Sequence, residues 1–137
     1  MKTDKPTVLI ADDDADMIRV MTKRLTHAGF DVITASNGRD AIAVFAIQPP
    51  DVALLDVQMP DLDGFSVCEH IRRKTAWENI PVFFLTGAED GIIRKHLPTL
   101  TSHVGGNRYF TKPFDGNVLV SLLHSAVAPG FFLPSQR

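Results

Sequence analysis

Four acids occupy five positions, Asp12, Asp13, Asp14 and Asp16, directly after the apolar run Val8-Leu9-Ile10-Ala11. Another acid, Asp56, closes the run Val52-Ala53-Leu54-Leu55. Thr86 closes Pro81-Val82-Phe83-Phe84-Leu85, and Lys112 follows Tyr109-Phe110-Thr111. Each has an ordinary explanation when taken singly. Asp14 and Asp16 suit a helix N-cap and first turn, where carboxylates meet unpaired N–H groups. Asp56 precedes the turn-like Met59-Pro60-Asp61-Leu62-Asp63-Gly64. Thr86 reads as a β-branched strand residue and Lys112 as a solvated cation. Capping accounts less well for Asp12 and Asp13. Carboxylates ~4 Å apart repel by ~1 kcal/mol in water and about 4 kcal/mol at an effective dielectric near 20. Bringing Asp56 beside them worsens this unless a cation is bound, and a few hard oxygen donors favour a partly hydrated Mg²⁺. Spacing alone leaves metal site and capping as alternatives of equal weight. Taken together, a metal, a carboxylate nucleophile, a hydroxyl and an ammonium suit phosphoryl transfer to a carboxylate.

That chemistry requires elements that bring distant residues to one place. Short apolar runs at Thr7–Ala11, Asp31–Ser36, Val52–Asp56, Pro81–Thr86 and, more weakly, Tyr109–Thr111 predict strands. Their lack of polar alternation suits a parallel sheet buried on both faces. Between them lie helix-period stretches at Ala15–Ala28, Arg39–Ile47, Gly64–Lys74 and Asp115–Ala128. Gly29 is a natural stop for the first, and Pro49-Pro50 ends the second. The crossover from Thr86 to Tyr109 fits least well. Ile92, Ile93, Leu97 and Leu100 keep a helical period, but Pro98 interrupts it. The prediction is a doubly wound five-stranded parallel α/β sheet, (βα)5, with an elongated crossover between the fourth and fifth strands. In such sheets ligands sit beyond the carboxyl ends of the strands, which is where the acids, Thr86 and Lys112 fall.

Composition sets bounds. The chain has 137 residues, which predicts one domain. Hydrophobic residues make up 45% of it, enough for a packed core. A net charge of −2 argues against a broad basic nucleic-acid surface. One cysteine, Cys68, excludes an internal disulfide framework. No apolar run approaches the ~18 residues of a membrane span. The expectation is a cytoplasmic protein that contacts neither nucleic acid nor membrane directly. His27, His70, His96, His103 and His124 show no tight metal spacing.

At this point the sequence resembles the receiver domain of bacterial two-component response regulators, of the chemotaxis-regulator type. The resemblance rests on four blocks in order: Val8–Asp13, Leu54–Gly64, Pro81–Gly87 and Tyr109–Phe114. It implies a flavodoxin-like receiver fold over 1–128, followed by a tail at 129–137. It implies Asp56 as phosphoacceptor, and Mg²⁺ held by Asp13, Asp56 and the backbone carbonyl of Gln58, with Asp12 acting mostly through water. Lys112 and Thr86 would contact the phosphoryl group. Thr86 and Tyr109 would switch, and Gln58 and Ala88 would tune dephosphorylation. The donor would be a histidine kinase or histidine phosphotransfer protein, and the output a changed interface with a downstream protein target. The chain would be no enzyme beyond autocatalytic phosphotransfer and dephosphorylation.

Two departures stand out. The fourth crossover is longer than in chemotaxis-type receivers and carries Pro98, on the face expected to signal. The tail carries Phe131-Phe132-Leu133, which could fold back on the domain or make a homodimer. Within the class, the alternative is a receiver cut from a hybrid kinase or multidomain regulator. A Mg²⁺-dependent aspartyl-phosphate phosphatase would want a second acid where Gln58 stands. A flavin carrier would want hydroxyls, not carboxylates, after the first strand.

Overall fold

The computed structural model describes residues 5–87, 108–112 and 115–127. The strands are β1 Thr7–Ala11, β2 Asp31–Ala35, β3 Val52–Asp56, β4 Val82–Gly87 and β5 Arg108–Lys112. The helices are α1 Ala15–His27, α2 Gly38–Ile47, α3 Gly64–Arg72 and α4 Gly116–Val127, with a 3₁₀ turn at Thr75–Trp77. The strands run parallel in the order β2-β1-β3-β4-β5. This is a flavodoxin-like α/β sheet. The helix expected around Ile92–Leu100, the Pro98 interruption, the elongated crossover and the tail at 129–137 lie outside the described residues.

Both faces of the sheet are covered, which explains the continuous apolar runs. Alternate strand residues serve opposite cores. Leu9, Ala53, Leu55 and Phe84 pack with Ala41 and Phe45 of α2 and with Val67, Cys68 and Ile71 of α3. Val8, Ile10, Leu54, Phe83 and Leu85 pack with Met21 and Leu25 of α1 and with Leu119 and Leu123 of α4. Phe65 meets Phe84 edge-on at 5.0 Å, and Phe83 lies 5.7 Å from Phe110. Burying such side chains contributes ~1.5–3 kcal/mol apiece, so these two layers hold the strand ends in place. No described helix is long and apolar enough to cross a membrane.

Local chemistry sets the boundaries. Asp14 caps α1, accepting from the backbone N–H groups of Asp16 and Met17 at 3.0 and 3.2 Å. Asn37 and Asp63 cap α2 and α3 through the N–H groups of Asp40 and Ser66. The third helix stops at Arg72, short of the Lys74 that its periodicity suggests. There the backbone tightens into the 3₁₀ turn, and Arg72 donates to the carbonyl of Trp77 at 3.1 Å. Burial also pushes the Arg72 guanidinium below its usual pKa, with the neighbouring Cys68 opposing this.

Gly29 closes α1 with φ at +100°. Its N–H donates to the carbonyl of Thr26 at 3.1 Å, and a Cβ added there would meet nothing within 4 Å. Gly29→Ala is therefore purely a backbone test. It should cost about 1–2 kcal/mol in urea unfolding with an unchanged m-value, and leave the strand-end chemistry intact.

Candidate functional site

The strand order reverses between β1 and β3, which are neighbours in the sheet. The chain leaves β1 into α1, which covers one face, and enters β3 from α2, which covers the other. A crevice opens at such a point, beyond the carboxyl ends of the two strands. Ala11 pairs with Leu55, so the next residues along, Asp12 and Asp56, stand side by side at its mouth.

Asp12 is 1% exposed. Its N–H donates to the carbonyl of Ala35 at 3.0 Å, carrying the β1–β2 pairing one step past the strand. One of its carboxylate oxygens accepts from the N–H of Asp14 at 3.0 Å. Asp13 is exposed, and Asp56 is 6% exposed. Asp12, Asp13 and Asp56 each turn a carboxylate oxygen to one point, all within 4.8 Å of one another. Asp14 and Asp16 are absent from this group. Asp14 caps the helix, and Asp16 pairs with Arg19 on the surface at 2.8 Å.

The other expected residues are placed by strand register. Asp56 pairs with Leu85, so Thr86, 3% exposed, comes one step further along the adjacent strand. The backbone of Lys112 ends β5 opposite Gly87, and that of Tyr109 pairs with Phe84. The side chains of Lys112 and Tyr109, and the whole of Ala88, lie outside the described residues. Gln58 is exposed, two residues past Asp56 in the loop between β3 and α3.

Two glycines set that loop's position, and reading the sequence for chemistry missed both. A Cβ on Gly64 would lie 2.4 Å from the carbonyl oxygen of Asp56. A Cβ on Gly38 would lie 2.3 Å from the carbonyl oxygen of Leu62. The first residues of α2 and α3 thus press directly on backbone, which only glycine permits. Their signal in the sequence was faint: a glycine at the start of each helical period.

The donor set fits a hard divalent cation. Three carboxylates, each offering an oxygen, are the hard donors such an ion prefers, and Asp12, Asp13 and Asp56 would hold it. Two carboxylates are buried and one faces solvent, which suits an ion that keeps several waters. A 300 Å³ cavity lined by Asp12, Asp13, Thr34, Ser36 and Asp40 opens beside the two leading acids on the β2 side, without Asp56 in its lining. Such a site, beside a carboxylate at a strand end, can support nucleophilic attack on phosphorus.

Comparisons agree with this geometry. The model of the response regulator receiver domain matches residues 8–124. Protein PilG of Pseudomonas aeruginosa is 34% identical over 130 residues, covering 95% of this chain and 93% of PilG. "Probable transcriptional regulator ycf27" of Pyropia yezoensis is 35% identical over 127 residues, covering 93% of this chain and 49% of that protein. The chain thus spans about half the length of the ycf27 relatives it matches. The Francisella response regulator 1452 receiver domain superposes with a TM-score of 0.76 at 28% identity, over 89% of this chain and 96% of that one. Chemotaxis response regulator CheY4 of Vibrio cholerae does so with 0.77 at 27% identity, over 89% and 98%. A parallel sheet with this order, acids gathered where it reverses, and a family match across nearly the whole described domain lead to one conclusion: the chain belongs to the response regulator receiver domain family of two-component signalling.

Proposed function

We propose that this receiver accepts a phosphoryl group on Asp56 from the phosphohistidine of a histidine kinase or histidine phosphotransfer protein, in the cytoplasm. The observation that carries this reading is the convergence of the Asp12, Asp13 and Asp56 carboxylates within 4.8 Å. An Asp56 oxygen forms the new P–O bond as the P–N bond to the donor imidazole breaks, and that nitrogen takes up a proton. Asp12, Asp13, Asp56 and the Gln58 carbonyl would hold Mg²⁺, which when bound supplies charge neutralisation at the phosphoryl oxygens. The Thr86 hydroxyl donates to one phosphoryl oxygen, and the Lys112 ammonium pairs with another.

Signalling follows from differential contact. A phosphoryl group brings about −1.5 to −2 charges and three acceptor oxygens. Thr86 and Lys112 gain these partners only in the phosphorylated state, so that state favours the conformation in which they reach inward, with Tyr109 following. Coupling of ~1–3 kcal/mol is typical of such switches and suffices to change affinity for a downstream protein target. A second reading, a receiver within a longer protein, is favoured by the ycf27 relatives, of which this chain covers about half.

The direct test is incubation with acetyl phosphate and Mg²⁺ followed by intact mass. One added phosphoryl group is expected. A folded wild-type chain that gains none would overturn the reading. Mg²⁺ itself should raise the thermal midpoint. At ten times its Kd, binding adds about 1.4 kcal/mol, or roughly 5 °C for a chain of this size. Asp13→Asn should lose most of that rise, and an undiminished rise would remove Asp13 from the site. Gln58→Ala should alter the rate at which the phosphorylated chain decays without preventing phosphorylation, read as mass against time after desalting.

A further inference from the structure

Away from the strand ends, α1 and α4 leave a groove of about 850 Å³ between them. Its apolar lining comes from Val20, Ala28 and Val120, and its rim from Lys23, Arg24 and His27. Val20 is 59% exposed, unusual for a valine facing a neighbouring helix. Two contacts bridge the helices. Arg24 donates to the Asn117 side chain, and a ring nitrogen of His124 lies 2.9 Å from the carbonyl of Ala28. The His124 ring also stacks on Phe30 at 4.9 Å. The proposed phosphoryl chemistry uses none of these residues.

We propose that this groove is the seat of the chain's own Phe131-Phe132-Leu133 segment. The path supports it. The chain leaves α4 at Val127, within one helical turn of His124 and hence of Ala28. From Val127, an extended segment reaches roughly 14 Å by Phe131 and about 21 Å by Leu133. Ala28 and Val20 are two helical turns apart, roughly 12 Å. The segment can therefore span the groove.

The chemistry supports it as well. Two phenyl rings and a leucine suit an apolar lining, and groove volumes of about 300–1,000 Å³ are those that enclose compact apolar ligands. The rim cations Lys23 and Arg24 suit aromatic faces, which attract Lys and Arg through the ring quadrupole. The segment itself carries no acid to compete for them.

The test uses the full chain and two exposed valines. Val20 lines the groove; Val118, 50% exposed on α4, is not part of its lining. In uniformly labelled wild-type chain, NOEs are expected between the Phe131 and Phe132 rings and the Val20 and Val120 methyls. Val20→Asp should abolish them and speed chymotrypsin cleavage after Phe131 and Phe132 about tenfold, because cleavage follows the population of the undocked segment. Val118→Asp should leave both readouts at wild-type values. Equal cleavage of all three chains, or no NOEs in the wild type, overturns the proposal. So do NOEs seen only between differently labelled chains, which would assign the groove to the segment of a second copy.

Discussion

Asp56→Asn is expected to abolish phosphoryl uptake outright, with no adduct in intact mass at any acetyl phosphate or Mg²⁺ concentration. The amide nearly matches the carboxylate in shape, but it has neither the charge nor the lone-pair basicity to displace a leaving group from phosphorus. The fold should survive because backbone ties this position into the sheet. Asp56 pairs in register with Leu85, and the N–H of Val57 donates to the Leu85 carbonyl at 2.8 Å. Two companion variants separate nucleophile from metal. Asp56→Glu keeps the charge but advances the carboxylate by about 1.5 Å, and misplacement on the order of 1 Å costs ~100-fold in rate. Asp13→Asn keeps the nucleophile, so its rate should recover as Mg²⁺ is raised, a binding defect and not a chemical one. A phosphoryl adduct on Asp56→Asn, carried by Asp12 or Asp13, would transfer the nucleophile's role to a neighbour.

The outcome at Asp56 turns on a residue that was legible from sequence, and the reason is physical. Strands buried on both faces must be apolar throughout, so a charge ending such a run marks the rim of the sheet. That logic located β1 and β3 to the residue, and with them Asp12 and Asp56. Capping chemistry separated the acids correctly: Asp14 holds α1 and Asp16 its first turn, while Asp12 and Asp13 turn to Asp56. Asp12 gives one oxygen to the N–H of Asp14 and also belongs to the acidic cluster with Asp13 and Asp56, so a local hydrogen bond and a place in that cluster are compatible. Other features were hidden because they depend on contacts between distant segments. The end of α3 at Arg72 is set by the carbonyl of Trp77, not by periodicity. Asn37 was not read as the cap of α2, because the helical period became visible only at Arg39. The groove between α1 and α4 needs both helices in place before Val20 becomes notable. Gly64 reads as a turn residue and Gly38 drew no reading, and only the packing of loop on helix shows what they exclude.

Gly64→Ala should therefore be the most damaging single methyl in the domain's upper rim. The added Cβ would lie 2.4 Å from the Asp56 carbonyl oxygen and 3.3 Å from the Val57 Cα. Neither atom can retreat easily. Val57 is bonded to β4 through the Leu85 carbonyl, and its own carbonyl accepts from the N–H of Gly64 at 3.0 Å. Relief must come from shifting the start of α3, which drags Phe65 from its edge-on seat against Phe84. Overpacking of this kind costs about 1–3 kcal/mol, and the upper end would lower the thermal midpoint by roughly 10 °C. The phosphorylation rate should fall further than stability alone explains, by ~100-fold, if the strand end carrying Asp56 yields by about 1 Å. Gly38→Ala supplies the contrast. Its Cβ would meet the Leu62 carbonyl oxygen at 2.3 Å, but Leu62 belongs to the irregular loop after β3, beside Asp61 with φ at +71°. That loop has fewer ties to the sheet and can slide. Because it also carries Gln58, its displacement should alter the lifetime of the phosphorylated state more than its formation. Wild-type unfolding midpoint and phosphorylation rate in Gly64→Ala would show that β3 is not braced by α3, and would leave the placement of Asp56 without its support.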